Sequence, residues 1–284
     1  MSRASVVIQI SDPHFGTEVA AVVAALTQLV HSVEPALVVV SGDITQRARR
    51  SQFSRARDFV AQLRAANVLV VPGNHDIPLF NLPARLLDPY ANYERAFGRQ
   101  LEPEFECERL LVLGVKTTRR LRHKDGEVSA VQVERVARRL RAARPEQLRI
   151  VVTHQPLHVI RAKDLTNLVH GHEQAARSWA EAGADVLMGG HIHLPYVRPL
   201  AEAVPNLSRA VWVVQAGTAV SRRVRDGAPN SINLIRYPLE SPGAYLVERW
   251  DYSAASARFE RIEQHRLSLD RTAGAQTVAP SRTR

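Results

Sequence analysis

A single cysteine, Cys107, stands in 284 residues, so no internal disulfide can form, and its acidic neighbours "EFECERL" offer nothing to activate the thiol. A disulfide-built fold is excluded, and Cys107 reads as a packed or surface thiol. Long apolar runs are missing as well: none approaches the ~18 residues that cross a bilayer, so no membrane span is expected. The opening residues "MSRASVVIQISD" enter a strand pattern without a signal-type stretch, and a soluble, cytoplasmic protein is the expectation. Lysine is scarce: Lys116, Lys124 and Lys163 are the only three, and the net charge of +10 is otherwise arginine. Those arginines are scattered, and in 135–144 the apolar Val136, Ala137 and Leu140 share one helical face, which leaves the arginines to solvent. No aromatic-interleaved basic stripe accompanies them, so nucleic acid is disfavoured as a partner, and the charge favours anionic ligands in general without selecting one.

What the chain does have is short, β-branched apolar runs. "VVIQIS", "ALVVVS", "NVLVVP", "LLVLGV", "LRIVVT" and "ADVLMG" read as strands buried on both faces. Helix-period segments at 17–33, 51–66, 129–143 and 171–182 lie between them, an α/β alternation. After Leu194 the runs "AVWVVQAGT", "SINLIRY", "GAYLVERWD" and "ARFERIEQ" follow without intervening helices, so an antiparallel β back half is expected. With 45% apolar residues the length suits one core, and residues 1–268 are expected to form a single domain. Residues 269–284, ending "TAGAQTVAPSRTR", are expected to be a disordered tail.

The chemistry gathers where strands end. Five ends deliver "SDPHFG", "SGDITQ", "PGNHDIP", "THQP" and "GGHIH", each with an Asp, Asn or His. Ligands of open α/β sheets bind at the carboxyl ends of strands, so these residues can share one crevice. Asp12 with His14, and His191 with His193, are spaced i, i+2 and would face one side of extended backbone. Glycines 42, 73, 189 and 190 would let the backbone turn sharply beside a crowded cluster. Two aspartates, an asparagine and four histidines form a mixed oxygen and imidazole set suited to Mn, Fe, Zn or Co. Seven donors exceed the needs of one ion. A shared carboxylate would hold two divalent or trivalent ions, the arrangement that activates a bridging hydroxide in phosphoryl transfer.

Taken together, Asp12-Pro13-His14, Gly42-Asp43, Gly73-Asn74-His75-Asp76, His154 and Gly190-His191-Ile192-His193 resemble the calcineurin-like metallophosphoesterase superfamily over about residues 5–264. The resemblance implies a four-layer α-β-β-α sandwich. It further implies that Asp12, His14, Asp43 and His193 surround one metal and Asp43, Asn74, His154 and His191 the other, with Asp43 bridging. His75 matches the family's non-ligand histidine that protonates the leaving alkoxide, with Asp76 as its orienting partner. Within the superfamily, "ISDPHFG" and the late "QAGT" are similar to the bacterial cyclic-nucleotide-phosphodiesterase-like subgroup, whose usual His-His-Pro-Pro reads His154-Gln155-Pro156-Leu157 here. A lipid A pathway pyrophosphohydrolase acting on a UDP-sugar lipid, and a nuclease, are the alternatives. The former usually has Arg where His75 stands. A non-catalytic scaffold ranks last, because no donor has been lost. The expected substrate is a small anionic phosphodiester, with 3',5'-cyclic nucleotides first, and nothing sets the oligomeric state.

Several residues remain open candidates for substrate contact. Arg119 or Arg222, with their neighbours Arg120 and Arg223, follow strand ends and can clamp a phosphate. His158 lies four residues past His154, and Phe80, Tyr90, Tyr93 and Phe97 could stack on a base. His170-Gly171-His172 imitates a ligand pair but precedes a helix, and His31, His123 and His265 read as surface residues.

Overall fold

The computed structural model describes residues 4–122, 124–225, 227–241 and 243–271. Eighteen strands and helices follow one another as β1 (Ser5–Ile10), α1 (Ala20–Val33), β2 (Leu37–Ser41), α2 (Arg50–Gln62), β3 (Val68–Val71), α3 (Leu82–Leu87), α4 (Ala91–Phe97), β4 (Glu104–Glu106) and β5 (Leu110–Gly114). Then come α5 (Ala130–Arg141), β6 (Leu148–Val152), α6 (His172–Ala182), β7 (Val186–Gly189), β8 (Tyr196–Pro199), β9 (Trp212–Gln215), β10 (Ser231–Tyr237), β11 (Ala244–Ser253) and β12 (Arg258–Ser268).

Two six-stranded sheets result, ordered β12-β11-β10-β1-β2-β3 and β4-β5-β6-β7-β9-β8. Strand alternation sets the layers. Val7, Val39 and Val71 of the first sheet face Leu110, Ile150 and Met188 of the second, forming the core between the sheets. The intervening Ile8, Val40 and Val70 face outward onto Leu26 of α1 and Phe53 and Phe59 of α2. On the far side, Leu111, Val151 and Leu187 meet Val136 and Leu140 of α5 and Trp179 of α6. The four layers are α-β-β-α, a mixed α/β fold as expected.

One expectation needs correction. The back half is not wholly antiparallel, because β9 pairs parallel with β7 in the second sheet. The antiparallel β10, β11 and β12 return to extend the first sheet beyond β1. Packing contacts also reach past residue 268. Leu269 packs on the inter-sheet core, and Arg271 pairs with the buried Asp185 at 3.0 Å while donating to the carbonyl of Gln147 at 2.7 Å. Residues 272–284, the rest of the expected tail, lie outside the described residues, as does His123.

Candidate metal centre

The first sheet supplies Asp12 and His14 after β1, Asp43 after β2, and Asn74, His75 and Asp76 after β3; the second supplies His154 after β6 and His191 and His193 after β7. Because β1, β2 and β3 are neighbours in one sheet and β6 and β7 in the other, all five loops meet at one end of the sandwich. The side chains form two groups that share Asp43: Asp12, His14, Asp43 and His193, and Asp43, His154 and His191. Within each, the donor atoms lie within 4.8 Å of one another. Asp43 divides its oxygens, Oδ2 at 3.7 Å from His14 Nε2 and Oδ1 at 3.2 Å from His154 Nε2. Asn74 Oδ1 joins the second group, 3.2 Å from His154 Nε2.

Convergence comes about differently from the spacing argument. Asp12, His14, Asp43, His191 and His193 all have φ between 43° and 70°, in the left-handed region rather than in extended backbone. Each such residue costs roughly 1 kcal/mol or more, and strain of this kind persists where a site requires it. Tight turns, not strand alternation, aim these side chains. The glycines act mainly by permitting close approach: a Cβ on Gly190 would lie 2.0 Å from Ser11 Oγ and 2.7 Å from Asp12 Oδ2. Gly42 has both reasons, with φ +93° and the His154 ring 2.4 Å from where its Cβ would be.

Carbonyls orient the imidazoles from behind. His154 Nδ1 meets the Ser41 carbonyl at 3.0 Å and His193 Nδ1 the Arg223 carbonyl at 2.6 Å, so both present Nε2 to the centre. His14 and His193 bring their Nε2 atoms within 3.1 Å of each other. Neither ring nitrogen of His191 has a hydrogen-bond partner, nor has His14 Nδ1. Asp12 Oδ1 lies 3.1 Å from His193 Nε2 without hydrogen-bonding geometry. Buried polar atoms left without partners are costly, and a cation held by Asp12 Oδ1 or by one ring nitrogen of His191 would relieve part of the deficit. The donor set therefore fits a pair of metal ions.

Electrostatics divide the histidines. Burial pushes His14 down to about 3, and burial with the neighbouring His154 does the same to His191. For His154 burial acts downward too, but the Asp43 carboxylate outweighs it and lifts the imidazole to about 9. Asp12 likewise raises His193 against the effect of burial. Burial alone would raise Asp12 and Asp43, yet His193 and His154 respectively hold them below the usual carboxylate range.

His75 stands beside the centre, its Nε2 4.0 Å from Asp43 Oδ2 and its backbone N–H donating to Asp43 Oδ1 at 2.8 Å. The expected orienting partner is corrected: His75 Nδ1 meets the Gln46 carbonyl at 2.9 Å, not Asp76. Asp76 is occupied elsewhere, accepting from Gly73 N, Ile44 N, Thr45 N and Thr45 Oγ1 at 2.8–3.0 Å. It ties the loop after β3 to the loop after β2. Burial and the Asp43 carboxylate push its pKa up to about 6, against those donors.

The substrate candidates are also rearranged. Arg119 donates to the carbonyls of Lys116 and Thr118 and to Gln132, which holds it away from the donors. Arg222 is exposed, whereas its neighbour Arg223 places Nη1 3.2 Å from His75 Nε2 and from Gln46 Oε1. His158 packs its ring against Tyr196 and lines a separate hollow with Leu165, Leu168 and Glu202. Gln155 is buried and turned from the centre, its Nε2 donating to the Lys124 carbonyl at 2.9 Å. Tyr90 and Tyr93 are buried packing residues, and Phe97 packs on Tyr93. Phe80 alone of the four aromatics is exposed, at 75%. It closes a cavity of about 120 Å³ with Asn74, His75, Gln46, Arg47 and Leu79.

Sequence reasoning missed a polar layer beneath the donors. Gln9 donates to Ser41 Oγ at 3.1 Å and the Gly189 carbonyl at 3.0 Å, and Asn233 donates to Gln9 Oε1 at 3.0 Å. It joins the two sheets directly under the centre. Polar residues inside the otherwise aliphatic "VVIQI" and "SINLI" were the available signal.

No curated protein matches the chain. Among solved structures, a dimetal phosphatase from Danio rerio is similar at TM-score 0.66 and 14% identity, over 95% of this chain and 100% of that one. A purple acid phosphatase from yellow lupin seeds is similar at TM-score 0.68 and 14% identity, over 96% of this chain and 55% of that one. Both likenesses concern the fold. Among the described residues no helix is long and apolar enough to cross a membrane. The family model for calcineurin-like phosphoesterases matches residues 5–195, the span that carries all seven donors, and the chain belongs to that family.

Proposed function

We propose that this protein is a metal-dependent phosphodiesterase with two ions held around Asp43, Asp12, His14 and His193 on one side and Asn74, His154 and His191 on the other. The observation that carries the reading is the division of the Asp43 oxygens between two donor groups, in which Asp12 Oδ1 and both ring nitrogens of His191 have no hydrogen-bond partner. Bound there, the ions would supply Lewis-acid stabilisation of charge and acidify a water. The remaining roles fall to the chain. Arg223 offers one guanidinium to a phosphoryl oxygen, which suits the single negative charge of a diester. His75 turns Nε2 toward the centre, because the Gln46 carbonyl accepts from Nδ1, and from that position it serves as the proton donor to the departing alkoxide. Loops from both sheets keep the donors out of bulk water.

The reading names a phosphodiester and leaves the nucleoside to experiment, since Gln155 does not face the centre and one exposed aromatic remains. The test is a hydrolysis panel on metal-stripped protein supplied with Mn. It contains bis-p-nitrophenyl phosphate, p-nitrophenyl phosphate, cyclic nucleotides, a UDP-sugar lipid and single-stranded DNA. Cleavage of the chromogenic diester in preference to the monoester, abolished by chelation and restored by Mn, is expected. Full activity in exhaustively chelated protein would overturn the two-metal reading.

A further inference from the structure

Six of the eleven exposed large hydrophobic residues in the described chain stand in one place: Leu79, Phe80, Leu82, Leu86, Leu87 and Leu121. Leu87 is 86% exposed and Leu121 79%. Exposed aliphatic side chains gathered in this way mark a surface that something apolar covers.

The ridge is built, not frayed. Arg85, itself buried, donates from Nε to the Arg120 carbonyl at 2.7 Å, from Nη2 to the Arg122 carbonyl at 2.9 Å and from Nη1 to the Pro78 carbonyl at 3.1 Å. Arg120 returns a bond to the Leu86 carbonyl at 3.2 Å. A buried guanidinium thus staples α3 to the tight turn that presents Leu121 at its tip. Around the ridge basic groups outnumber acidic ones: Arg47 stands over the Phe80 ring at 5.5 Å, and Arg120 and Lys124 are exposed, against Asp88 just past the end of α3 and Asp125, which pairs with His170. The ridge is also continuous with the metal centre, because Leu79 and Phe80 share their cavity with Asn74 and His75.

We propose that this ridge docks on an anionic lipid surface and takes the acyl portion of an amphiphilic phosphodiester, whose phosphate lies in the metal centre. The proposal rests on the phosphodiesterase reading for its chemistry: water is added, one P–O bond breaks, and a phosphomonoester and an alcohol result. Aliphatic side chains flanked by guanidinium groups match acyl chains beneath anionic headgroups. Nucleic acid would offer the leucines no apolar surface.

The experiment uses the full chain and the triple variant Leu82→Ser, Leu87→Ser, Leu121→Ser, none of which lines the cavity. Metal-free protein is sedimented with phosphatidylcholine vesicles, with and without phosphatidylglycerol. Wild type is expected to partition to the anionic vesicles, and the variant about ten-fold less. In the Mn-loaded protein, kcat/KM for dioctanoyl phosphatidylglycerol should exceed that for glycerophosphoglycerol by about ten-fold, and the variant should lose most of that ratio while cleaving bis-p-nitrophenyl phosphate normally. No binding of wild type, equal binding of the variant, or a dimer that the variant disperses would each overturn the docking proposal. Failure of every phosphodiester to be cleaved, with vesicle binding intact, would strike the phosphodiesterase reading instead.

Discussion

At the residue scale, Asp43 and His75 are neighbours with separable roles. Asp43→Ala removes the carboxylate that both donor groups share, so metal and turnover should vanish together. His75→Ala should keep its metal and lose about 10²–10⁴ in kcat, most for poor leaving groups. Elemental analysis beside kinetics distinguishes the two, and equal metal loss would mean that His75 is a ligand. Arg223→Ala should raise KM for a chromogenic diester by about ten-fold with metal content unchanged, as measured by steady-state kinetics. The histidine pair sets a pH dependence. His14 and His191, driven down to about 3, are already neutral at pH 7, whereas His154, lifted to about 9, is protonated there and must release its proton to bind metal. Metal affinity should therefore keep rising with pH until it passes about 9, not level off near the ordinary imidazole value. Titrations in buffers of differing ionisation enthalpy count the proton, and none released at pH 7 would refute the assignment.

At the scale of elements, the site is a set of strand-end turns whose positions were readable and whose conformations were not. Asp12, Asp43, Asn74, His154 and His193 stood out because acidic and imidazole side chains directly follow aliphatic runs. Nothing in their order announces a left-handed backbone, since that conformation is imposed by the pairing of each loop with its neighbour, as in Asp12 N–H to the Gly42 carbonyl at 3.1 Å. The same limit explains Arg222 against Arg223, where adjacent residues point opposite ways. It also explains Asp76, three of whose four donors, Ile44 N, Thr45 N and Thr45 Oγ1, come from a loop remote in sequence. Tyr90 and Tyr93 could be read as stacking or packing residues until α4 settled against α2. The turns yield their own prediction. Gly190→Ala should push Ser11 and Asp12 aside and lower metal affinity by about ten-fold or more, while the melting temperature falls by only a few degrees. Calorimetric metal titration beside thermal unfolding checks it.

For the whole molecule, metal and fold are coupled, because the donors come from both sheets and each ion would tie one sheet to the other. The described chain is closed at its far end by Arg271, which reaches Asp185 Oδ1 at 2.5 Å, Asp185 Oδ2 at 3.0 Å and the carbonyl of Gln147. Arg271→Ala should cost about 1–3 kcal/mol, since Asp185 retains Arg209, and should leave metal content unchanged. Denaturant unfolding with metal analysis tests both halves of that statement. The strand order has a further consequence for how the molecule is made. The second sheet is an insertion within the first: the chain begins one sheet, leaves to build the other, and returns at β10 to lie against β1. All seven donors have been synthesised once residue 193 is added, yet β1, which leads into Asp12 and His14, stays an unprotected edge for some forty residues more, until β10 is made. Every donor thus precedes the strand that closes the first sheet, and a protein truncated before β10 is expected to hold metal less tightly than the full chain, as elemental analysis of the two would measure.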